Sequence, residues 1–215
     1  MSLLNDNALR QFDNLQQQVD LSFIKESQKS ELIRVLGLSD FISDALCKQP
    51  QLITELFTSD ILLSEQRTQL ISNELQQQLI TATDEMTLHK VLRLFRRKHM
   101  LIIAWRELLG KASLNESFEH LSFLADQLIV QSMQWLYAKQ CSEQGTPKNK
   151  DGIAQPLYIF AMGKLGGQEL NFSSDIDLIF AYPDRGQTEG GRRHIDNQTF
   201  FIKLSQRIIA ALHQI

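Results

Sequence analysis

A long stretch without helix-breaking residues constrains this chain more than any other feature of its sequence. No proline occurs between Pro50 and Pro147, and only Gly37 and Gly110 of the ten glycines precede residue 145. Proline and glycine are the residues that most often interrupt helices, and this stretch also carries apolar residues at helical spacing. We therefore predict a bundle of about five or six helices in the first two thirds of the chain.

Capping signals divide this stretch into individual helices. Side chains of Ser, Asp and Asn accept hydrogen bonds from the first backbone N–H groups of a helix, and glycine commonly ends one. On these signals we expect helices from Ser39 to near Pro50, from Ser59 or Asp60 to about Thr81, from Asp84 to Gly110, and onward from Asn115 or Ser117.

The composition changes at Gly145, because eight of the ten glycines lie at or after this residue. β-Branched and aromatic runs there predict two short strands, Leu157–Met162 and Ile176–Tyr182. Residues 145–156 are expected to form a polar connector and residues 184–193 a loop, and Asp196 is expected to cap a final helix. The chain is thus predicted to be α+β and mostly α, with a helical domain at residues 1–145 and a small α/β domain at residues 146–215.

Charge and composition limit the kinds of function that the chain can have and the cellular compartment in which we expect it. The net charge is −3, from 22 basic and 25 acidic residues, which argues against a broad electrostatic grip on nucleic acid. The first residues lack the pattern of a signal peptide, and no stretch approaches the roughly 20 apolar residues that span a bilayer. Cys47 and Cys141 have no pairing motif, so we expect a cytoplasmic protein without membrane contact.

Two aspartates interrupt the second predicted strand. Asp175 and Asp177 are flanked by Ile176 and by the apolar run 178–180, the composition of a covered strand, in which ionised carboxylates need a compensating cation. Side chains two apart along a strand share a face, about 7 Å from each other. Mg²⁺ prefers oxygen ligands and often binds through two carboxylates together with substrate phosphates. The D-x-D pattern therefore predicts a Mg²⁺ site on Asp175 and Asp177, with a strand-entry cap that leaves one aspartate partly exposed as the alternative.

A glycine-rich turn precedes the aspartates and supplies candidate phosphate ligands. Backbone N–H groups at Gly163, Gly166 and Gly167 can approach a polyphosphate closely, and Lys164 adds a positive charge. The glycines alone are a weak signal, since they have a purely conformational alternative, and Lys164 has the alternative of a plain surface lysine. Two further residues, Ser173 and Ser174, either bond phosphate or shape the entry to the strand.

Together, a glycine turn and an apolar-flanked D-x-D about ten residues later resemble the nucleotidyltransferase superfamily related to DNA polymerase β. The segment "MGKLGGQELNFSSDIDLIFAYP" is similar to the N-terminal, adenylyl-removing half of the bifunctional glutamine synthetase adenylyltransferase/adenylyl-removing enzymes. The segments "LRLFRRKHMLIIAW" and "GGRR" also resemble that family. The resemblance implies a helical bundle followed by a truncated polymerase β-like nucleotidyltransferase unit.

The resemblance also implies a reaction and its participants. Inorganic phosphate attacks the adenylylated tyrosine of glutamine synthetase and releases ADP, so the expected ligands are phosphate and an adenine nucleotide. Asp175 and Asp177 would be the catalytic and metal-binding residues of this Mg²⁺-dependent site. Glutamine synthetase in its adenylylated form would be the protein partner, and a PII-type signal protein is a further expected regulator.

One feature of the family has no counterpart in the sequence. A third carboxylate is expected on a later strand, in a motif similar to D-x-R-L-R-P, and the chain contains no such motif. The chain also ends at "AALHQI" within a helical pattern without a cap, so we expect a fragment of a longer protein that is poorly active alone.

Two other functions remain open from the sequence. In one, the helical part is a non-catalytic module that docks glutamine synthetase or a PII-type regulator. In the other, the chain is a template-independent nucleotidyltransferase acting on RNA, which the acidic balance disfavours. The basic run Arg93, Arg96, Arg97 and Lys98 is predicted to be a solvated helix face, with contact to a partner as its alternative.

Overall fold

The computed structural model describes residues 2–63, 67–192 and 194–213. Helices dominate, and two small sheets follow the long helices. The helices are α1 (Ser2–Gln16), α2 (Glu26–Leu38), α3 (Asp40–Lys48), α4 (Leu52–Thr58), α5 (Arg67–Leu79), α6 (Glu85–Leu108), α7 (Leu114–Gln144), α8 (Gly163–Gly166) and α9 (Asn197–His213), with a 3₁₀ turn at Asp60–Leu62. The strands are β1 (Thr146–Asn149), β2 (Tyr158–Ala161), β3 (Leu178–Ala181) and β4 (Gly186–Glu189). The predicted fold class, α+β and mostly α, is confirmed.

Three predicted N-caps are confirmed by their hydrogen bonds. Ser39 Oγ accepts from the backbone N–H of Ile42 at 3.3 Å at the start of α3. Asp84 Oδ1 accepts from Thr87 N at 2.8 Å before α6, and Asp196 Oδ1 accepts from Thr199 N at 2.9 Å before α9. Each cap satisfies a backbone donor that has no partner within its own helix.

Two predicted helix starts are wrong. The helix expected from Ser59 or Asp60 to Thr81 is divided, because a 3₁₀ turn occupies Asp60–Leu62 and α5 begins only at Arg67. Helix α7 begins at Leu114, and its first turn is capped by Ser113, whose Oγ accepts from Glu116 N at 3.2 Å. With α1 included, seven α-helices precede residue 145 in the described part of the chain, rather than five or six.

The chain divides into two compact units, Met1–Arg67 with Arg97–Leu121, and Thr68–Arg96 with Ser122–Ile215. This division differs from the predicted domains 1–145 and 146–215. Whether those two ranges fold independently remains a prediction. Helices α6 and α7 each contribute residues to both units.

The first unit has an aromatic core and buried charged groups. Phe57 packs edge-on against Trp105, with ring centroids 5.6 Å apart. Arg106 is 2% exposed and donates to Glu116 Oε1 at 2.7 Å and to the carbonyl of Leu62 at 2.8 Å. Lys98 is also buried and forms an ion pair with Glu55. The predicted solvated face over the basic run is therefore wrong at Lys98.

The second unit joins α7 to α9 and to the sheets. Tyr137 of α7 packs edge-on against Phe200 of α9 at 5.9 Å, and Gln140 Nε2 donates to the carbonyl of Phe200 at 2.7 Å. Strands β2 and β3 pair antiparallel, with Phe160 opposite Ile179 and Ala161 opposite Leu178.

A second antiparallel pair, β1 with β4, corrects two predictions. Residues 145–156 were expected to be a connector and residues 184–193 a loop, yet Thr146–Asn149 pairs with Gly186–Glu189. Both strands are polar and lack β-branched runs, so composition did not reveal them. Gly186 allows the pairing, because a Cβ there would collide with the carbonyl of Lys148.

Among the described residues, no helix combines the length and the apolar character needed to cross a bilayer.

Candidate functional site

The glycine turn after β2, which consists of the single helical turn α8 and its C-cap Gly167, depends on two glycines for its shape. Gly163 has a φ of +57°, a left-handed conformation that costs other residues about 1 kcal/mol or more. A Cβ on Gly166 would lie 2.5 Å from the carbonyl oxygen of Ala161. The conformational alternative considered for these glycines thus accounts for part of their presence.

Gly167 is different, because neither its backbone nor its surroundings require glycine. A Cβ at this position would meet Cγ of Glu169 at 3.5 Å, which is an ordinary contact, and Gly167 has a φ of −84°. The absence of a side chain leaves the turn open to solvent beside Gly166. Of the three glycines, this one is not explained by packing within the chain. The expectation that the N–H groups of Gly166 and Gly167 are available to phosphate is wrong, because they donate to the carbonyls of Met162 at 3.2 Å and Gly163 at 3.0 Å.

Asp177 lies directly beside this turn. The backbone N–H of Met162 donates to the carbonyl of Asp177 at 2.9 Å, which continues the β2–β3 pairing by one more residue pair. A Cβ on Gly163 would lie 3.9 Å from Asp177 Oδ2. The structure therefore brings Asp177 together with the first glycine of the turn.

Asp175 precedes Asp177 in the segment that enters β3. Both aspartates lie before the strand itself, which begins at Leu178 and not at Ile176, and both are exposed. The expectation of a covered strand is wrong here, since Ile176 and Ile179 are exposed as well. Because these carboxylates are exposed, the fold does not need a cation to offset their burial. A cation bound there would instead contribute to binding a ligand.

Ser173 and Ser174 lie in a polar turn organised by Asn171. Ser174 Oγ donates to Asn171 Oδ1 at 2.7 Å, and the backbone N–H of Ser173 donates to the same oxygen at 3.2 Å. These bonds favour the turn-shaping alternative for Ser174. The side chains of Ser173 and Lys164 are exposed on the same unit as the glycine turn.

Helix α7 holds the far end of the glycine turn, which no pattern in the sequence predicted. Leu170 N donates to Ser122 Oγ at 3.1 Å, and Gln168 Nε2 donates to Asp126 Oδ2 at 3.3 Å. Gln168 has a φ of +57°, unusual for a residue with a side chain. Partial burial raises the pKa of Asp126, and the hydrogen bond from Gln168 opposes that rise. These contacts join residues more than 40 positions apart, so no local pattern signals them.

The donor set fits a hard cation that keeps most of its water. Asp175 and Asp177 offer only carboxylate oxygens and are both exposed, and Asp177 lies beside the glycine turn. Within the described residues, no group of three or more His, Cys, Asp or Glu side chains is placed to hold a metal. Two carboxylates with water and substrate oxygens match Mg²⁺ better than they match Zn²⁺, which takes three or four protein ligands.

Comparisons with a family model and with individual proteins agree with each other. Residues 29–215 match the family model described as glutamate-ammonia ligase adenylyltransferase. The bifunctional glutamine synthetase adenylyltransferase/adenylyl-removing enzyme of Psychromonas ingrahamii is 63% identical over 214 residues, covering 100% of this chain and 23% of that protein.

Two proteins of the same name from Shewanella are also similar. The one from Shewanella woodyi is 47% identical over 192 residues, 89% of this chain and 20% of that protein. The one from Shewanella oneidensis is 48% identical over 195 residues, 91% of this chain and 20% of that protein. The chain thus spans between a fifth and a quarter of the length of these relatives.

Proposed function

Because the chain belongs to the glutamate-ammonia ligase adenylyltransferase family, we propose that it carries the nucleotidyltransferase site that removes AMP from adenylylated glutamine synthetase. The names of its relatives include an adenylyl-removing activity on glutamine synthetase. One structural observation supports assigning the site to the turn, namely the position of the Asp177 carboxylate beside Gly163.

The proposed reaction is phosphorolysis. An oxygen of inorganic phosphate attacks the phosphorus of the tyrosyl-AMP group, the bond from phosphorus to the tyrosine oxygen breaks, and the products are ADP and free tyrosine. Such a transfer depends mainly on in-line positioning and charge stabilisation, so it needs no covalent intermediate on the enzyme. The phenol of tyrosine, with an unperturbed pKa near 10, is a moderate leaving group.

The residues of the turn would bind and orient phosphate oxygens. The backbone N–H groups of Gly166 and Gly167 already donate to the carbonyls of Met162 and Gly163. Phosphate oxygens would therefore approach the backbone at the exposed start of α8, at Gly163 and Lys164. Lys164 is exposed on the same turn and would add a positive charge to the phosphate site. Ser173 would contribute a hydroxyl, whereas Ser174 is already bonded to Asn171.

Asp175 and Asp177 would hold Mg²⁺, and their exposure leaves room for water and substrate oxygens on the ion. When bound, Mg²⁺ neutralises charge on the phosphoryl oxygens and stabilises the developing phenolate. The chain's own contribution is to hold the Asp177 carboxylate next to the turn, through the Met162–Asp177 backbone bond.

Isotope-labelled phosphate tests whether inorganic phosphate is the attacking group. A full-length protein carrying this sequence is incubated with adenylylated glutamine synthetase and isotope-labelled inorganic phosphate. We expect label in the β-phosphate of ADP, in amounts equal to the tyrosine released. Release of unlabelled AMP would show hydrolysis instead and would overturn the proposed reaction.

A further inference from the structure

One face of the β2–β3 sheet is open and apolar. Phe160 is 55% exposed and its cross-strand partner Ile179 is 51% exposed, and Tyr158 and Met162 alternate with Phe160 along the strand and are also exposed. Side chains two residues apart, and those directly opposite on a paired strand, share one face. We call Tyr158, Phe160, Met162 and Ile179 the open sheet face.

The opposite face of this sheet is covered by a helix, and this shows which of the two faces is open. Ile159, Ala161 and Leu178 line a small cavity together with Ile129 and Met133 of α7. Helix α7 therefore covers one side of the sheet, and the open sheet face lies on the other side.

The open sheet face is continuous with the candidate site. Met162 stands opposite Asp177 in the continued register, so the carboxylate of Asp177 shares the face of Met162 and Phe160. The pair Phe160 and Ile179 follows about 7 Å further along the strands, at about 3.4 Å per residue. An aromatic surface thus begins next to the proposed phosphate and metal site.

From this placement we infer that the open sheet face is a stacking platform for the adenine base of the nucleotide whose phosphates bind at the glycine turn. This inference rests on the proposed function. It adds the binding subsite for the base, with Phe160 as the principal contact. The adenine ring is uncharged and planar, so an apolar face can bind it by stacking without a hydrogen bond. Stacking on an aromatic side chain also tolerates different orientations of the purine.

The size of the face favours a small ring over a protein partner. Four residues of strand extend about 13 Å, and two strands about 4.8 Å apart give a surface on the order of 130 Å². A stable protein interface buries about 800 Å² on each partner, roughly six times more. A second copy of the chain would need a far larger apolar surface than these two strands provide.

The experiment compares ligands that share phosphates but differ in the base. Dissociation constants of ADP and of inorganic pyrophosphate, each with Mg²⁺, are measured by titration calorimetry for the 215-residue chain. The variants are Phe160→Leu, which keeps an apolar group, and Phe160→Tyr, which keeps the ring. Ile153→Ala is the matched control, because Ile153 is 60% exposed elsewhere in the same unit.

We expect Phe160→Leu to weaken ADP binding at least about fivefold, with pyrophosphate binding unchanged, and Phe160→Tyr and Ile153→Ala to bind both ligands as the unchanged chain does. Equal ADP affinity in Phe160→Leu would overturn the platform, as would equal weakening of both ligands. A change in self-association at unchanged ADP affinity would assign the face to a second copy and would also overturn it.

Asp177→Asn separates the failure of this inference from failure of the proposed function. If Asp177→Asn weakens binding of both ligands while Phe160→Leu has no effect, only the platform is wrong. If the unchanged chain binds neither ligand, or if Asp177→Asn leaves both affinities intact, the proposed phosphate and metal site is wrong, and the platform with it.

Discussion

Gly166 packs against the carbonyl oxygen of Ala161 so closely that a Cβ on Gly166 would lie 2.5 Å from that oxygen. The contact packs the end of α8 against β2, the strand that pairs with the Asp177 segment. The two glycines that follow one another in this turn therefore have different physical roles, and substitution separates them.

Gly166→Ala is expected to destabilise the second unit by about 1–3 kcal/mol, because an added methyl group forces the backbone at Ala161 to move. Urea unfolding of the 215-residue chain measures the change. Gly167→Ala is the matched control, since its Cβ would have only an ordinary contact at 3.5 Å. Equal stability of the two variants would show that the turn relaxes without cost.

Gly167→Ala is expected to unfold like the unchanged chain and yet to lose function. The added methyl group would lie 3.6 Å from the carbonyl oxygen of Gly163, on the exposed side of the turn where phosphate oxygens are proposed to approach the start of α8. In the full-length protein we expect deadenylylation to fall at least about tenfold, mainly through weaker phosphate binding. Full activity at every phosphate concentration would remove Gly167 from the binding site.

The sequence predicted that Asp177 lies near the glycine turn, but it did not predict the surroundings of the two. The spacing of Gly163 and Asp177 is local, so the residue pattern alone reveals the motif, and the cap at Asp84 is equally local. Strands β1 and β4 were missed because their pairing joins polar segments about 40 residues apart. The exposure of Ile176 and Ile179 was missed because composition predicts strand formation but does not tell which face a neighbouring helix will cover.

The buried ion pair of the first unit gives a test of stability that is independent of the site. Glu116→Gln removes the carboxylate that faces Arg106, a guanidinium 2% exposed. We expect a loss of about 3 kcal/mol in the free energy of unfolding, because the buried positive charge loses its partner. Asp44→Asn, which breaks the exposed pair of Asp44 with Lys48, should cost less than about 1 kcal/mol. Similar losses in both variants would contradict this interpretation of the buried pair.

Asp196 predicts a pH dependence with a defined sign. The backbone N–H and the hydroxyl of Thr199 lower the pKa of Asp196 in the folded chain. The stabilising effect is fully present above the unfolded-state pKa and is lost as the pH falls through the lower, folded-state pKa. Asp196→Ala should therefore lower the urea midpoint at about pH 7 more than at about pH 3. Asp151→Ala is the control, because Asp151 lies exposed in the turn after β1. A constant difference between Asp196→Ala and the unchanged chain at both pH values would refute the assignment.

The central claim is that the carboxylate beside the glycine turn serves catalysis. Its most direct test is the rate of AMP removal from adenylylated glutamine synthetase by the full-length protein carrying Asp177→Asn, with Asp151→Asn as the control. The account predicts a loss of more than about a hundredfold for Asp177→Asn, because an amide no longer supplies the charge that holds Mg²⁺. Asp151→Asn should remove AMP at the unchanged rate, and adenylylation of glutamine synthetase by the same Asp177→Asn protein should continue. A rate of AMP removal near that of the unchanged protein in Asp177→Asn would contradict the assignment of this site.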